Sequence, residues 1–112
     1  MQIFIGQPLT PTGAEIKQKV INNQPVKVIK GKNFTYYVKT ENGIVSKVVA
    51  HSQRQLAPAS YFIQNAEACT KKLLFRVPLR MAVWEYDCPQ GKFEYKTFGL
   101  IGNMNTEVKV VK

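Results

Sequence analysis

The chain has 112 residues, 45% of them hydrophobic, enough apolar material for one folded domain and too much for a disordered one. Sixteen Lys and Arg against seven acids give a net charge of +9, a balance that suits acidic or polyanionic partners, although no basic run exceeds Lys71 and Lys72. No apolar run approaches the roughly 20 residues a membrane-spanning helix needs, and no signal peptide is visible.

In chain order, residues 2–5 form a short apolar run that predicts a strand, and residues 7–11 predict a proline-marked turn. Thr12 and Glu15 have capping-box spacing. Ile16 and Val20 continue a helical face until Asn22, Asn23 and Pro25, so a helix is predicted over 13–22. After Pro25 the period changes. Val26 and Val28 alternate with Lys27, Gly31 supplies a turn, and Phe34, Tyr36 and Val38 share one face of a strand over 33–40. Asn42 and Gly43 make a two-residue hairpin turn and 44–50 returns as its partner, so 25–50 read as a three-stranded antiparallel meander.

Residues 51–58 form a polar loop. Ser60 can cap a second helix over 61–72, in which Phe62, Ala66, Cys69 and Leu73 lie along one face. A strand over 73–77 follows, and Pro78 marks it as an edge strand or a bulge. Residues 81–98 read as a long hairpin, closed by Pro89 and Gly91 in a three-residue turn with a bulge. Residues 99–105 form a loop, and 108–110 a short closing strand. The sum is one α+β domain: a single antiparallel sheet, meander plus long hairpin, packed with two short helices. A strand exposed at 73–77 or 108–111 is where pairing between chains would occur.

Catalytic motifs are sparse. His51 is the only histidine; a dyad would have to use it, and the adjacent Ser52 points elsewhere if the chain is extended, so an exposed loop histidine is the plainer reading. Glu85 and Asp87 alternate onto one strand face, where they either pair for acid–base work or balance neighbouring lysines. No zinc-protease, phosphate-loop or dinucleotide motif occurs, and neither cysteine lies in a metal-type or redox pair, so no enzyme, cofactor or metal is expected. Asn33, Phe34 and Thr35 match a glycosylation acceptor, a pattern common by chance.

Cys69 and Cys88 either pair or stay as two buried thiols acting as small hydrophobes. The disulfide is the favoured expectation, because both predicted positions face one helix–sheet layer. With the turn centred on Pro89 to Gly91, Tyr86 falls opposite Glu94 and Trp84 opposite Lys96. One hairpin face then carries Arg80, Trp84 and Tyr86 against Lys92, Glu94 and Lys96, and the other, with Met81, Val83, Phe93 and Tyr95, reads as core. Aromatic rings interleaved with cations suit glycans, single-stranded nucleic acid or an acidic protein. The plainer reading puts Trp84 under the second helix with lysines at its rim.

Val83 to Cys88, followed by Gly91 to Tyr95, resembles the surface-adhesin protein E family of bacterial lipoproteins and secreted domains, as does the upstream strand of Thr35 to Val38. Many members place a second cysteine after this hairpin, whereas here the partner would be Cys69, upstream. The resemblance implies an extracytoplasmic, non-enzymatic domain, in some members binding host matrix proteins. A predicted helix followed by Lys27 to Gly31 and Asn33 to Val38 also looks like the cystatin arrangement, with Gly6 in the role of that family's flexible glycine. That resemblance implies inhibition of papain-type proteases.

The leading expectation is an extracytoplasmic binding domain, secreted, periplasmic or on a cell surface. It would engage a protein or acidic glycan through Arg80, Trp84, Tyr86, Lys92 and Lys96. The cystatin-like inhibitor is the alternative, and a basic nucleic-acid binder, recognisable by salt-sensitive binding, is the third class.

Overall fold

The computed structural model describes residues 3–9, 16–100 and 102–111. Its strands are β1 (Ile16–Ile21), β2 (Gln24–Lys30), β3 (Thr35–Glu41), β4 (Ile44–Ser52), β5 (Thr70–Val77), β6 (Met81–Cys88), β7 (Gly91–Leu100) and β8 (Asn103–Val110). They form one eight-stranded antiparallel sheet in the order β1-β2-β3-β4-β8-β7-β6-β5. Each half is a meander of successive hairpins, and the halves join where β4 pairs with β8. The outermost strands are therefore β1 and β5.

The expected α+β class is corrected to a nearly all-β fold. Among the described residues there is no α-helix, only 3-10 turns at Ala59–Tyr61 and Ala66–Ala68. Ile16 to Ile21, assigned to the first helix, are β1, exposed along its whole length, so no burial rhythm marked its period. Asn22 and Asn23 do not stop a helix: with φ of 52° and 62° they form the hairpin turn that pairs Ile21 with Gln24. The capping-box residues Thr12 and Glu15 lie outside the described residues. The second helix fails at Asn65, whose φ of 54° breaks the spiral, and at Thr70, where pairing with β6 begins. Ser60 makes no side-chain cap.

The meander over 25–50 forms as expected and gains β1 as a fourth strand. Of residues 2–5, expected as a strand, the described 3–5 run instead as an irregular segment that buries Ile3 and Ile5, the Ile5 amide donating to the Phe62 carbonyl at 2.8 Å. The loop expected over 99–105 is mostly ladder, because β7 runs to Leu100 and β8 begins at Asn103. That places 108–110 inside the sheet, so of the two segments expected to be exposed for pairing only 73–77 lies at an edge.

The core lies on one face of the sheet. One row of paired residues runs Val38, Val48, Val108, Tyr95, Trp84, Leu73 across six strands, passing from fully buried to exposed. Ile3 and Ile5 cover the buried end together with the connection between β4 and β5, which contributes Ala57, Ala59, Phe62 and Ile63. This connection fills the layer assigned to a helix. A buried irregular backbone needs partners for its polar groups, and Ala57 finds both in side chains. Its amide donates to Thr106 Oγ1 at 2.9 Å, and its carbonyl accepts from the Tyr95 hydroxyl at 2.6 Å. The connection ends at Cys69, which forms the favoured disulfide with Cys88. Closing a step of 19 residues stabilises the fold by about 3 kcal/mol in the loop-entropy account.

Candidate functional site at the β5 edge

Hairpin register decides which side chains meet. Cys88 pairs with Gly91, Tyr86 with Phe93 and Trp84 with Tyr95, so the turn has two residues, Pro89 and Gln90, and not three. Every β7 side chain is thereby moved to the opposite face from the one expected. Trp84, Tyr86, Phe93 and Tyr95 share the core face, while Met81 and Val83 lie with Lys92 and Lys96 on the other. The five residues assigned to one surface are therefore divided. Trp84 and Tyr86 stand on one side of the sheet, Lys92 and Lys96 on the other, and Arg80 at the β5–β6 turn.

The two sides differ in charge. Lys92 pairs across the ladder with Asp87, and Lys96 with Glu107. Both ion pairs between described residues also lie there, Lys47 with Glu107 at 2.8 Å and Lys109 with Glu94 at 3.8 Å. Glu85 and Asp87 do share that face, opposite Lys72 and Thr70 of β5. On the core side of β5 the arrangement is different. Lys71 lies opposite Tyr86 and Arg76 opposite Ala82, so neither cation faces an acid across the ladder. Lys71 Nζ stands 5.5 Å from the Trp84 ring centroid, within cation–π range. Glu67 lines with Lys71 and Tyr86 a groove of about 320 Å³.

Trp84 is half-buried but stands outside the core cluster, which takes in Tyr86 and Tyr95 and stops there. The connection tied to Cys88 does not cover it as a helix would have. Beyond Trp84, β5 exposes Leu73, Leu74 and Phe75 in succession, at 42, 46 and 52%. A bulge between Leu73 and Phe75 turns the two larger side chains to opposite faces.

The β5–β6 turn extends this surface. Pro78 takes the first central position and Leu79 the second, closed by the Arg80 amide donating to the Val77 carbonyl at 3.1 Å. Leu79 has φ of 63°, a left-handed conformation that costs a non-glycine residue roughly 1 kcal/mol, and it is 95% exposed. Leu56, Arg76, Leu79, Arg80 and Phe98 line a groove of about 260 Å³ beside it. Sequence reasoning placed Arg80, Trp84 and Tyr86 here but missed Leu73 to Phe75, Arg76 and Leu79. Their signal was present in an apolar run on a strand that ends at proline.

Other candidates resolve differently. His51 is not in a loop but half-buried in β4, its Nδ1 3.1 Å from Asn105 Oδ1. Ser52 is buried on the opposite face and accepts from the Arg54 amide, so the two form no dyad. His51, Lys32, Asn33 and Arg54 line a polar recess of about 430 Å³ beside β3 and β4. The segment that the cystatin arrangement would have as helix before Lys27 is β1, and Gly31 lies in the β2–β3 turn. Burial, with a smaller contribution from Tyr86, pushes the Tyr95 hydroxyl up to about 12; burial also raises Tyr86, and burial with Tyr61 raises Tyr36. These phenols are neutral packing groups. Among the described residues no cluster of acids, histidine and cysteine suits a metal ion, and no helix is long and apolar enough to cross a membrane. Compared with known families, characterised proteins and solved structures, the chain finds no match.

Proposed function

We propose that the chain is a non-enzymatic, extracytoplasmic binding domain, adhesin-like in manner, whose β5–β6 end engages an acidic partner. The carrying observation is the edge strand β5, where three successive exposed apolar residues stand between Lys71 and Lys72 on one side and Arg76 on the other, beside Trp84. Exposed apolar side chains set among cations, on a core side where neither Lys71 nor Arg76 faces an acid across the ladder, bind acidic surfaces by contact and by field together. The disulfide supports an oxidising compartment. Arg80, Trp84 and Tyr86 remain in the binding surface, joined by Lys71, Leu73, Arg76 and Leu79, while Lys92 and Lys96 serve charge balance on the far face.

Trp84 is the only tryptophan, so its emission reports directly on this surface. Titration with a polyglutamate peptide and with a heparin-type oligosaccharide at low salt should change that emission for at least one of them. Added salt should weaken the response, and replacing Lys71 and Arg76 together by glutamate should cut affinity about tenfold or more. That double variant should keep its stability within about 0.5 kcal/mol, as exposed positions do. A response to duplex DNA stronger than to both acidic probes would move the reading to nucleic acid. Silence towards all three would overturn it.

A further inference from the structure

Both outer strands of the sheet lack a neighbour among the described residues, but they are not equivalent. In β1 the exposed Ile16 is separated from Val20 and Ile21 by two lysines and a glutamine, so no more than two apolar residues are consecutive. In β5 the exposed apolar residues are consecutive, and the strand is longer. An open edge leaves alternate backbone N–H and C=O groups pointing outward, a template for another strand.

Charge decides what can lie there. β5 carries Lys71, Lys72 and Arg76 and no acid; β1 carries Lys17 and Lys19 and no acid. Pairing β5 with either edge of a second copy would set cations against cations, which destabilises a ladder. A strand carrying carboxylates reverses each of those contacts. We propose that β5 accepts an extended acidic segment of a partner polypeptide as a ninth strand of the sheet.

The inference rests on the binding surface proposed above and names what occupies it. On the core side the incoming strand lies beside Lys71, Leu73 and Arg76; on the other it lies beside Lys72, Phe75 and Val77. Each face thus offers an apolar contact next to a cation. Antiparallel to β5, the complementary order is an acid opposite Arg76, apolar residues opposite Phe75 and Leu73, and acids opposite Lys72 and Lys71. Glu67 offsets part of the charge at Lys71, and Glu85 and Asp87 of β6 offset Lys72 on the other face, so complementarity is strongest towards Arg76 and Arg80. There the turn presents Leu79, in a conformation glycine would adopt without cost, next to Leu56 and the two arginines. A local rule broken at the tip of a basic groove marks a contact for the incoming chain as it leaves the edge.

The probe is a capped peptide containing Glu-Val-Val-Glu-Glu, whose consecutive valines reach Phe75 and Leu73 on opposite faces across the bulge; binding is followed by Trp84 emission and by hydrogen exchange of the β5 amides. It should bind the intact oxidised protein and slow exchange within β5. N-methylation of one alternate set of its residues should weaken binding about tenfold or more per lost hydrogen bond, while methylation of the other set leaves it unchanged. Lysine in place of its glutamates should abolish binding, and Leu79→Gly should weaken it without loss of fold. Equal binding by both methylated peptides without β5 protection would overturn strand addition and leave the acidic-partner surface standing. A silent peptide with a responding heparin-type oligosaccharide would do the same in favour of glycan. Silence of both would remove the surface itself. β5 protection in the free protein, with a concentration-dependent dimer in sedimentation, would place a second copy on the edge and overturn the proposal.

Discussion

Thr106→Val tests how an irregular connection is held over an all-β core. Thr106 and Ala57 are both fully buried, and the Thr106 hydroxyl oxygen takes the Ala57 amide at 2.9 Å. Valine keeps the shape of the side chain and removes the acceptor, leaving a buried amide with no partner. Such a group costs about 1–3 kcal/mol, against a small gain from burying a methyl in place of a hydroxyl. The expected loss is about 2 kcal/mol, roughly an 8 °C lower Tm for a chain of this size. Urea unfolding should show a lower midpoint with an unchanged slope. Thr97, paired with Thr106 but only half-buried, is the control, and Thr97→Val should stay within about 0.5 kcal/mol. Tyr95→Phe removes the donor to the Ala57 carbonyl, so a double-mutant cycle with Thr106→Val should show coupling. If Thr106→Val is as stable as the parent, the connection is not secured through Ala57, and the account of the core's cover is wrong.

Reduction of the Cys69–Cys88 bond, or its replacement by alanines, should lower stability by about 3 kcal/mol and free the end of the connection to proteolysis; equal melting of both forms would refute the pinning role. The fold favours the neutral Tyr95 phenol, so its contribution is intact below the ordinary value of 10.0 and is lost as pH rises towards about 12. Burial raises Tyr36 and Tyr86 as well, so tyrosinate absorbance should show several phenols titrating late, with a last component near pH 12 that Tyr95→Phe removes; an unchanged amplitude near pH 12 in that variant would refute the assignment. Gly99 has φ of 123°, and a Cβ there would stand 2.0 Å from the Asn103 carbonyl oxygen. Gly99→Ala should cost at least about 2 kcal/mol in thermal unfolding, and a neutral result would contradict the β7–β8 geometry. Leu79→Gly should leave the melting temperature unchanged or raise it, since strain of roughly 1 kcal/mol is relieved; a marked fall would mean that Leu79 is structural.

Antiparallel pairing was legible wherever alternation coincided with a half-buried sheet. Val26 to Val49 carry that pattern, and the turn at Asn42 and Gly43 fixed where the chain reversed. The edge strands were not legible in the same way. β1 buries neither face, so Ile16 and Val20 matched a helical spacing as well as a strand's. Asn22 and Asn23 carried the deciding signal, because two successive residues tolerant of positive φ form a hairpin turn. Cys69 and Leu73 matched a helix for another reason. Cys69 is placed by a disulfide and Leu73 by a ladder partner, both distant in sequence, which local spacing does not encode. At the hairpin, a one-residue difference in loop length between Pro89 and Gly91 exchanged the faces of β7. Trp84 and Tyr86 were found as aromatic neighbours of cations, but the cation beside them is Lys71, and not Lys92 and Lys96.

The most direct test of the binding surface is an amide and indole chemical-shift map of the oxidised protein during titration with the acidic peptide. The account predicts that shifts concentrate on β5, on Leu79 and Arg80, and on the Trp84 indole, and that they fade as salt is added. Shifts centred instead on Lys92 and Lys96, or on the recess of Lys32, His51 and Arg54, would contradict it.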